Sequence, residues 1–276
     1  MDFLRLALPK ARLALLTAFV AGSLAVFACF HVSATRAAAA PGAAEPATTV
    51  PVTTVPVLVE LFTSEGCSSC PPADALLAKL DALQPISGVQ AIVLSEHVTY
   101  WNEGGWRDPF SDETYTDRQQ QYVARMGLQS AYTPQAVVDG TADVLGSDAA
   151  ALVRSVTHAA AAPKPQLSIE SPVWQGDALH FAVRLADPIH APLMAALAED
   201  AAQSSVARGE NAGRTLHHVA VVRVLKNMGT GAADGRPLTL KLGGGSDAGK
   251  AMRLVVFVAD SHTGKVQAVA EAPVAR

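Results

Sequence analysis

Cysteine is scarce in this chain of 276 residues: Cys29, Cys67 and Cys70 are too few for a disulfide-framed scaffold, and suit one redox pair plus one stray. Basic runs are absent. With 21 Lys and Arg against 25 Asp and Glu the net charge is −4, and no basic stripe marks a nucleic-acid surface. Only 17% of residues are charged and half are apolar, which excludes a chain disordered throughout. No solenoid-type repeat is present. The Gly243-Gly244-Gly245 run lacks the Lys-Ser/Thr that would make it a phosphate loop. No second Cys pair exists to complete a zinc site.

The N-terminus does carry a recognisable order. Arg5, Lys10 and Arg12 precede an apolar run from Leu13 to Phe30, and a small-residue stretch from Ala34 to Ala40 follows. This is the charged, apolar, small-residue sequence of a secretory signal peptide over residues 1–40, with cleavage expected near 36–40. An uncleaved anchor is the alternative, since 18 apolar residues just span a bilayer, but the Ala-rich flank favours cleavage. Removal takes away Arg5, Lys10, Arg12, Arg36 and Asp2 with Cys29, leaving 17 basic and 24 acidic residues. The expected product is soluble, acidic, free of the membrane, and periplasmic or secreted, where a Cys67–Cys70 disulfide persists.

Residues 41–54, rich in Pro, Ala and Thr, read as a linker. From 55 to 162 strand and helix patterns alternate. Val57 to Phe62 and Val89 to Leu94 read as buried strands, Gln135 to Val138 as a third. Asp74–Leu83, Thr114–Met126 and Ser147–Ala161 read as helices, the last with Ser147 as its N-cap. This predicts an α/β domain with a mixed sheet. After the Ala-Pro stretch at 159–165, a plausible hinge, residues 166–276 read as β. Seven strand candidates (166–170, 178–186, 193–199, 216–225, 237–242, 252–259 and 266–270) predict an all-β sandwich domain.

Cys67-Ser68-Ser69-Cys70 is the strongest chemical signal. It follows the first strand and opens the first helix, whose free N–H groups and dipole favour a thiolate at Cys67. Two intervening residues let Cys70 close a disulfide or resolve a mixed one. An inert structural disulfide is the alternative. Glu60, a carboxylate inside an apolar strand, reads as a proton acceptor for Cys70, or else as a carboxylate at the strand's edge or paired with an Arg. Seven of the 11 aromatic residues beyond residue 40 lie between His97 and Tyr132. This insertion (97–132) is expected to wall the CxxC cleft, with Trp101, Trp106, His97 and Arg107 as substrate contacts. The alternatives are a local mini-core, and for His97 a hydrogen-bonded structural role. Arg208 to Arg214 reads foremost as a tight loop, with a face towards the N-terminal half or a partner as the other reading. His217 and His218, on opposite faces of a strand, cannot chelate one ion together.

The order strand, CxxC, helix, strand, then Thr133-Pro134 before another strand and Gly140, resembles the thioredoxin fold. More narrowly, ELFTSEGCSSCPPAD (60–74), HVTYW…GWRDPF (97–110), TDRQQQY (116–122), YTPQAVVDG (132–140) and RGENAGRTL (208–216) resemble an exported bacterial family catalogued as a domain of unknown function. The resemblance implies a thioredoxin-like domain at 55–162. It also implies a cis Thr133-Pro134 bond facing the cysteines, where the two residues help bind an extended substrate. The expectation is thiol–disulfide exchange through Cys67 and Cys70 with a protein or small-molecule thiol or disulfide, without a cofactor. The alternatives are Cu(I) binding by the two cysteines and a non-catalytic interaction protein with a locked bridge.

Overall fold

In the computed structural model, which describes residues 54–230, 235–243 and 249–275, the apolar run after Val55 forms β1 (Val55–Thr63). Every residue from Val57 to Thr63 is buried, as in a strand covered on both faces. α1 (Pro71–Leu83) follows; its two prolines take the first positions, where a helix has no N–H partner to lose. β2 (Val89–His97) returns parallel to β1, Thr63 opposite His97. α2 (Glu113–Met126) starts at Asp112, whose side chain accepts from the Thr114 N–H. β3 (Gln135–Val138) lies antiparallel to β1, and β4 (Ala142–Leu145) pairs with β3. α3 (Ala149–Ala160) is capped by Asp148 rather than Ser147. The signal peptide at 1–40, Cys29 and linker residues 41–53 lie outside the described residues, as do Gly244 and Gly245.

The second half supplies β5 (Leu167–Gln175), β6 (Ala178–Leu185), β7 (Pro192–Ser205), β8 (Thr215–Thr230), β9 (Leu238–Lys241), β10 (Met252–Ala259) and β11 (Val266–Val274). All seven expected strands are there. The expected architecture, a thioredoxin-like α/β domain followed by an all-β sandwich, is not. The protein is mostly β, and one eight-stranded mixed sheet runs through both halves in the order β11-β10-β7-β8-β2-β1-β3-β4. Its junction is a parallel pairing of β2 with β8, Ser95 opposite Val221. β5, β6 and β9 form a separate three-stranded sheet.

Side-chain alternation explains the correction. In β7, Leu193, Ala195 and Leu197 join one core with Leu179 and Leu240 of the small sheet. Ala196 and Ala198 join the other core, with Leu77 of α1 and Leu152 of α3. β10 divides likewise, Leu254 and Val256 from Val255 and Phe257. Strands apolar on both faces need a layer on each, so they occupy the middle of a shared sheet rather than one half of a free sandwich. All described residues fall in one compact unit. Among them no helix is long and apolar enough to cross a membrane.

Candidate functional site

The turn between β1 and α1 carries the cysteines. Cys67 and Cys70 form a disulfide with Cα atoms 5.4 Å apart. Cys70 is the N-cap of α1, its carbonyl accepting from the Ala73 N–H at 2.8 Å and the Asp74 N–H at 3.1 Å. Both cysteines have no exposed surface, whereas Ser68 and Ser69 between them are exposed. The pair therefore sits where the sequence places it, but beneath a cover.

Two segments make that cover. At Gly66 a Cβ would stand 3.0 Å from the Trp101 backbone oxygen and its Cβ, so glycine permits this close approach without displacing Trp101. The second segment is the loop between β7 and β8. The Asn211 Nδ2 group donates to the Glu65 and Cys67 carbonyls, both at 2.9 Å. The Glu210 carboxylate accepts from the Ser68 N–H at 3.0 Å; the Ser68 side chain first, and then this N–H, hold its pKa below the usual value. Arg214 Nη1 donates to Asn211 Oδ1 at 2.7 Å. Gly209, at φ +78°, brings the loop against Trp106. The 208–214 segment is thus a strap across the disulfide turn, facing the N-terminal half.

Beneath the turn lies a buried cluster of carboxylates and imidazoles. His218 Nε2 of β8 stands 3.3 Å from Glu65 Oε1, and its Nδ1 3.6 Å from Asp74 Oδ2. Neither nitrogen has a partner at hydrogen-bond geometry, so these are ionic contacts. Burial works against a charged imidazole here, but the Asp74 and Glu65 carboxylates outweigh it and push the His218 pKa up to about 9. Glu65 also accepts from Trp106 Nε1 at 2.8 Å and from the Ser204 hydroxyl. Thr63 Oγ1 donates to Asp74 at 2.9 Å. His97 Nδ1 lies 2.7 Å from Asp108 Oδ2, an oxygen that also accepts from the Glu65 N–H. Burial alone would raise Asp108; His97 and the Glu65 and Phe110 N–H groups hold its pKa below the usual value. The His97 and His218 rings meet edge to face at 4.7 Å, with Phe110 against both.

Glu60 belongs to a different network. Alternation puts it on the opposite sheet face from Thr63 and Asp74. There Arg118 Nε meets Glu60 Oε1 at 2.5 Å, and the Tyr122 hydroxyl donates to Oε2 at 2.6 Å. The pairing with an Arg is what the chain adopts, and it leaves Glu60 unsuited to accept a proton from Cys70: both of its oxygens are engaged on the far face. Glu96, whose carboxyl is raised by burial and then by the Glu60 charge, lies 3.7 Å from the same guanidinium. Trp101 Nε1 donates to Thr133 Oγ1 at 2.7 Å, and the Thr133-Pro134 bond is cis. Buried Pro134 approaches Ala73 of α1 across Gly146. Trp101 and Trp106 are half-buried against the cysteine turn, Arg107 is exposed, and His97 is buried in a structural pairing with Asp108.

Sequence reasoning did not single out Glu65, Asp74, Asp108, Asn211 or His218 as site residues. Glu65 and Asp74 bracket the CxxC, a local signal that was available. The link to His218 had none, because a chain separation of more than 140 residues leaves no spacing to read. Among the described residues, no group of three or more His, Cys, Asp or Glu side chains is arranged to hold a metal ion.

Residues 58–259 match the family described as protein of unknown function (DUF1223). No curated protein matches the chain. Among solved structures, an X-ray crystal structure of an Agrobacterium tumefaciens protein is similar, with a TM-score of 0.60 and 24% identity over 80% of this chain and 95% of that one. At that identity the likeness shows a shared fold. A Ruminococcus gnavus β-glucuronidase aligns over 40% of this chain and 14% of its own, at 10% identity and a TM-score of 0.21, too low to bear on the site. The family match extends over well above half of the sequence, and the protein belongs to the DUF1223 family.

Proposed function

We propose that the protein is an exported thiol–disulfide exchange protein acting through Cys67 and Cys70. The observation that carries this reading is the position of the closed pair, a disulfide three residues apart with its second cysteine capping α1. Helix-terminal N–H groups and the positive end of the dipole favour a thiolate there. In the exchange, a partner thiolate attacks Cys67 Sγ, the Cys67–Cys70 bond breaks, and Cys70 leaves with the electron pair and takes a proton. The partner's second thiolate then attacks its own sulfur in the mixed disulfide and releases Cys67. Two electrons pass from the partner dithiol to the cysteine pair, and the reverse sequence oxidises the pair. Thr133 and Pro134, beside the first turn of α1, and the exposed Arg107 are the proposed contacts for the partner.

The burial of both cysteines favours a second reading, a permanently closed bridge in an interaction protein. Trapping separates the two. A Cys70→Ser variant expressed in an exporting cell is expected to accumulate mixed disulfides on Cys67, released by reductant and absent from the Cys67→Ser/Cys70→Ser control. Equal patterns in the two strains, with a reduction potential below about −300 mV for the wild-type bridge, overturn the exchange reading in favour of the closed one.

A further inference from the structure

The buried cluster below the disulfide turn contains one cation set between two carboxylates that bracket the cysteines. Glu65 lies two residues before Cys67, and its carbonyl is tied with that of Cys67 to the same Asn211 amide. Asp74 lies four residues after Cys70, and its N–H bonds the Cys70 carbonyl. His218 contacts both side chains at 3.3 and 3.6 Å, and its side chain is 1% exposed. It comes from β8, immediately beyond the strap.

We infer that His218 is the charge-compensating, positioning residue of the cysteine pair: it holds a proton between Glu65 and Asp74 and so stabilises the thiolate left when the disulfide opens. This rests on the exchange reading above. When a partner dithiol opens the bridge, two electrons enter the pair, the partner becomes a disulfide, Cys70 keeps one proton as a thiol, Cys67 stays a thiolate and one proton goes to solvent. That new negative charge arises in a setting already holding Glu65, Asp74 and Asp108. The groups facing His218 are Glu65 after β1, Asp74 of α1, His97 of β2 and Phe110 from the segment before α2, with Asp108 one contact further, on His97. From β7 comes the Ser204 hydroxyl, bound to Glu65. Arg223, further along β8, lies on the Phe110 ring at 5.5 Å. Without the His218 proton, the two carboxylates that bracket the cysteine turn would oppose ionisation of Cys67.

The test uses the full exported chain, reduced. The pH dependence of Cys67 alkylation by iodoacetamide is compared between wild type and His218→Gln, with circular dichroism confirming the fold. The midpoint is expected to rise by one pH unit or more, an about tenfold loss of thiolate at pH below it. A role limited to packing leaves the midpoint in place. Should the variant not fold, the wild type decides: by linkage, the His218 midpoint followed by NMR must be higher in the dithiol form than in the disulfide form. An unmoved alkylation midpoint in a folded His218→Gln protein, or one His218 midpoint in both redox forms, overturns the inference. Partner trapping by Cys70→Ser is independent of both measurements, so loss of the exchange reading and loss of this one are told apart.

Discussion

Two buried cations, His218 and Arg118, each stand among carboxylates, one on either side of the same sheet. Removing one partner of such a set leaves an uncompensated charge in a dry place, which costs far more than the intact set contributes. For His218 the consequence can be read as stability against pH. The folded protein holds its proton to about 9, against an ordinary value of 6.5. A raised folded pKa adds stability that is complete below 6.5 and is lost as the pH climbs through about 9; the gap corresponds to about 3 kcal/mol. Glu96, pushed up by burial, bends the curve in the same direction, so the His218 share is the difference between wild type and His218→Gln. Urea unfolding between pH 6 and pH 9.5 is expected to show the wild type losing roughly that amount more than the variant. Parallel curves would mean that the imidazolium is not held.

At the scale of elements, the strap lies over the disulfide turn and is expected to limit access to it. Its base is closed by the Val206 N–H on the Arg214 carbonyl at 2.9 Å and the Gly213 N–H on the Val206 carbonyl at 2.8 Å. Its tip is pinned by Asn211. Asn211→Ala removes its donor from the Glu65 carbonyl and leaves the Cys67 carbonyl with the Cys70 N–H at 3.3 Å, a cost of about 1–3 kcal/mol that falls on the closed strap. Reduction of the Cys67–Cys70 bond by dithiothreitol at fixed pH is expected to speed up about tenfold. A rate equal to that of wild type rejects the strap as the barrier. The glycines at 209 and 213 made a tight loop legible in the sequence, and hydrophobic period made nearly every strand and helix legible. What the loop covers was not, because Asn211 lies 144 residues from Cys67 and a hydrogen bond to a carbonyl demands no particular side chain there. β4 was missed for a different reason: two of its four residues are exposed, so it carries almost no apolar signal.

For the whole molecule, the Ala-Pro stretch at 159–165 looked like a hinge, yet the sheet runs across the two halves. A strand apolar on both faces reads the same whether its neighbours are near or far in sequence, so the pattern in β7 and β10 disclosed burial without disclosing partners. The halves are joined by more than β2 and β8. The Tyr115 hydroxyl of α2 donates to the Val222 carbonyl at 2.8 Å, and Arg253 grips both Asp81 oxygens at 2.7 and 3.0 Å. Glu65 and Asp74 reach the His218 imidazole only through β8. Cutting the chain at residue 165 exposes the outer edge of β2 and leaves Glu65, Asp74 and Asp81 without their cations. Residues 41–165 alone are therefore expected to lack a cooperative unfolding transition, while the chain from 41 to 276 unfolds in one. Trp101 and Trp106 report from the first half and Trp174 from the second. In a Trp174→Phe variant and a Trp101→Phe/Trp106→Phe variant, the fluorescence midpoints in urea are expected to coincide with each other and with circular dichroism. Two separated midpoints, or a stable fragment 41–165, would mean that the shared sheet does not bind the halves into one folding unit.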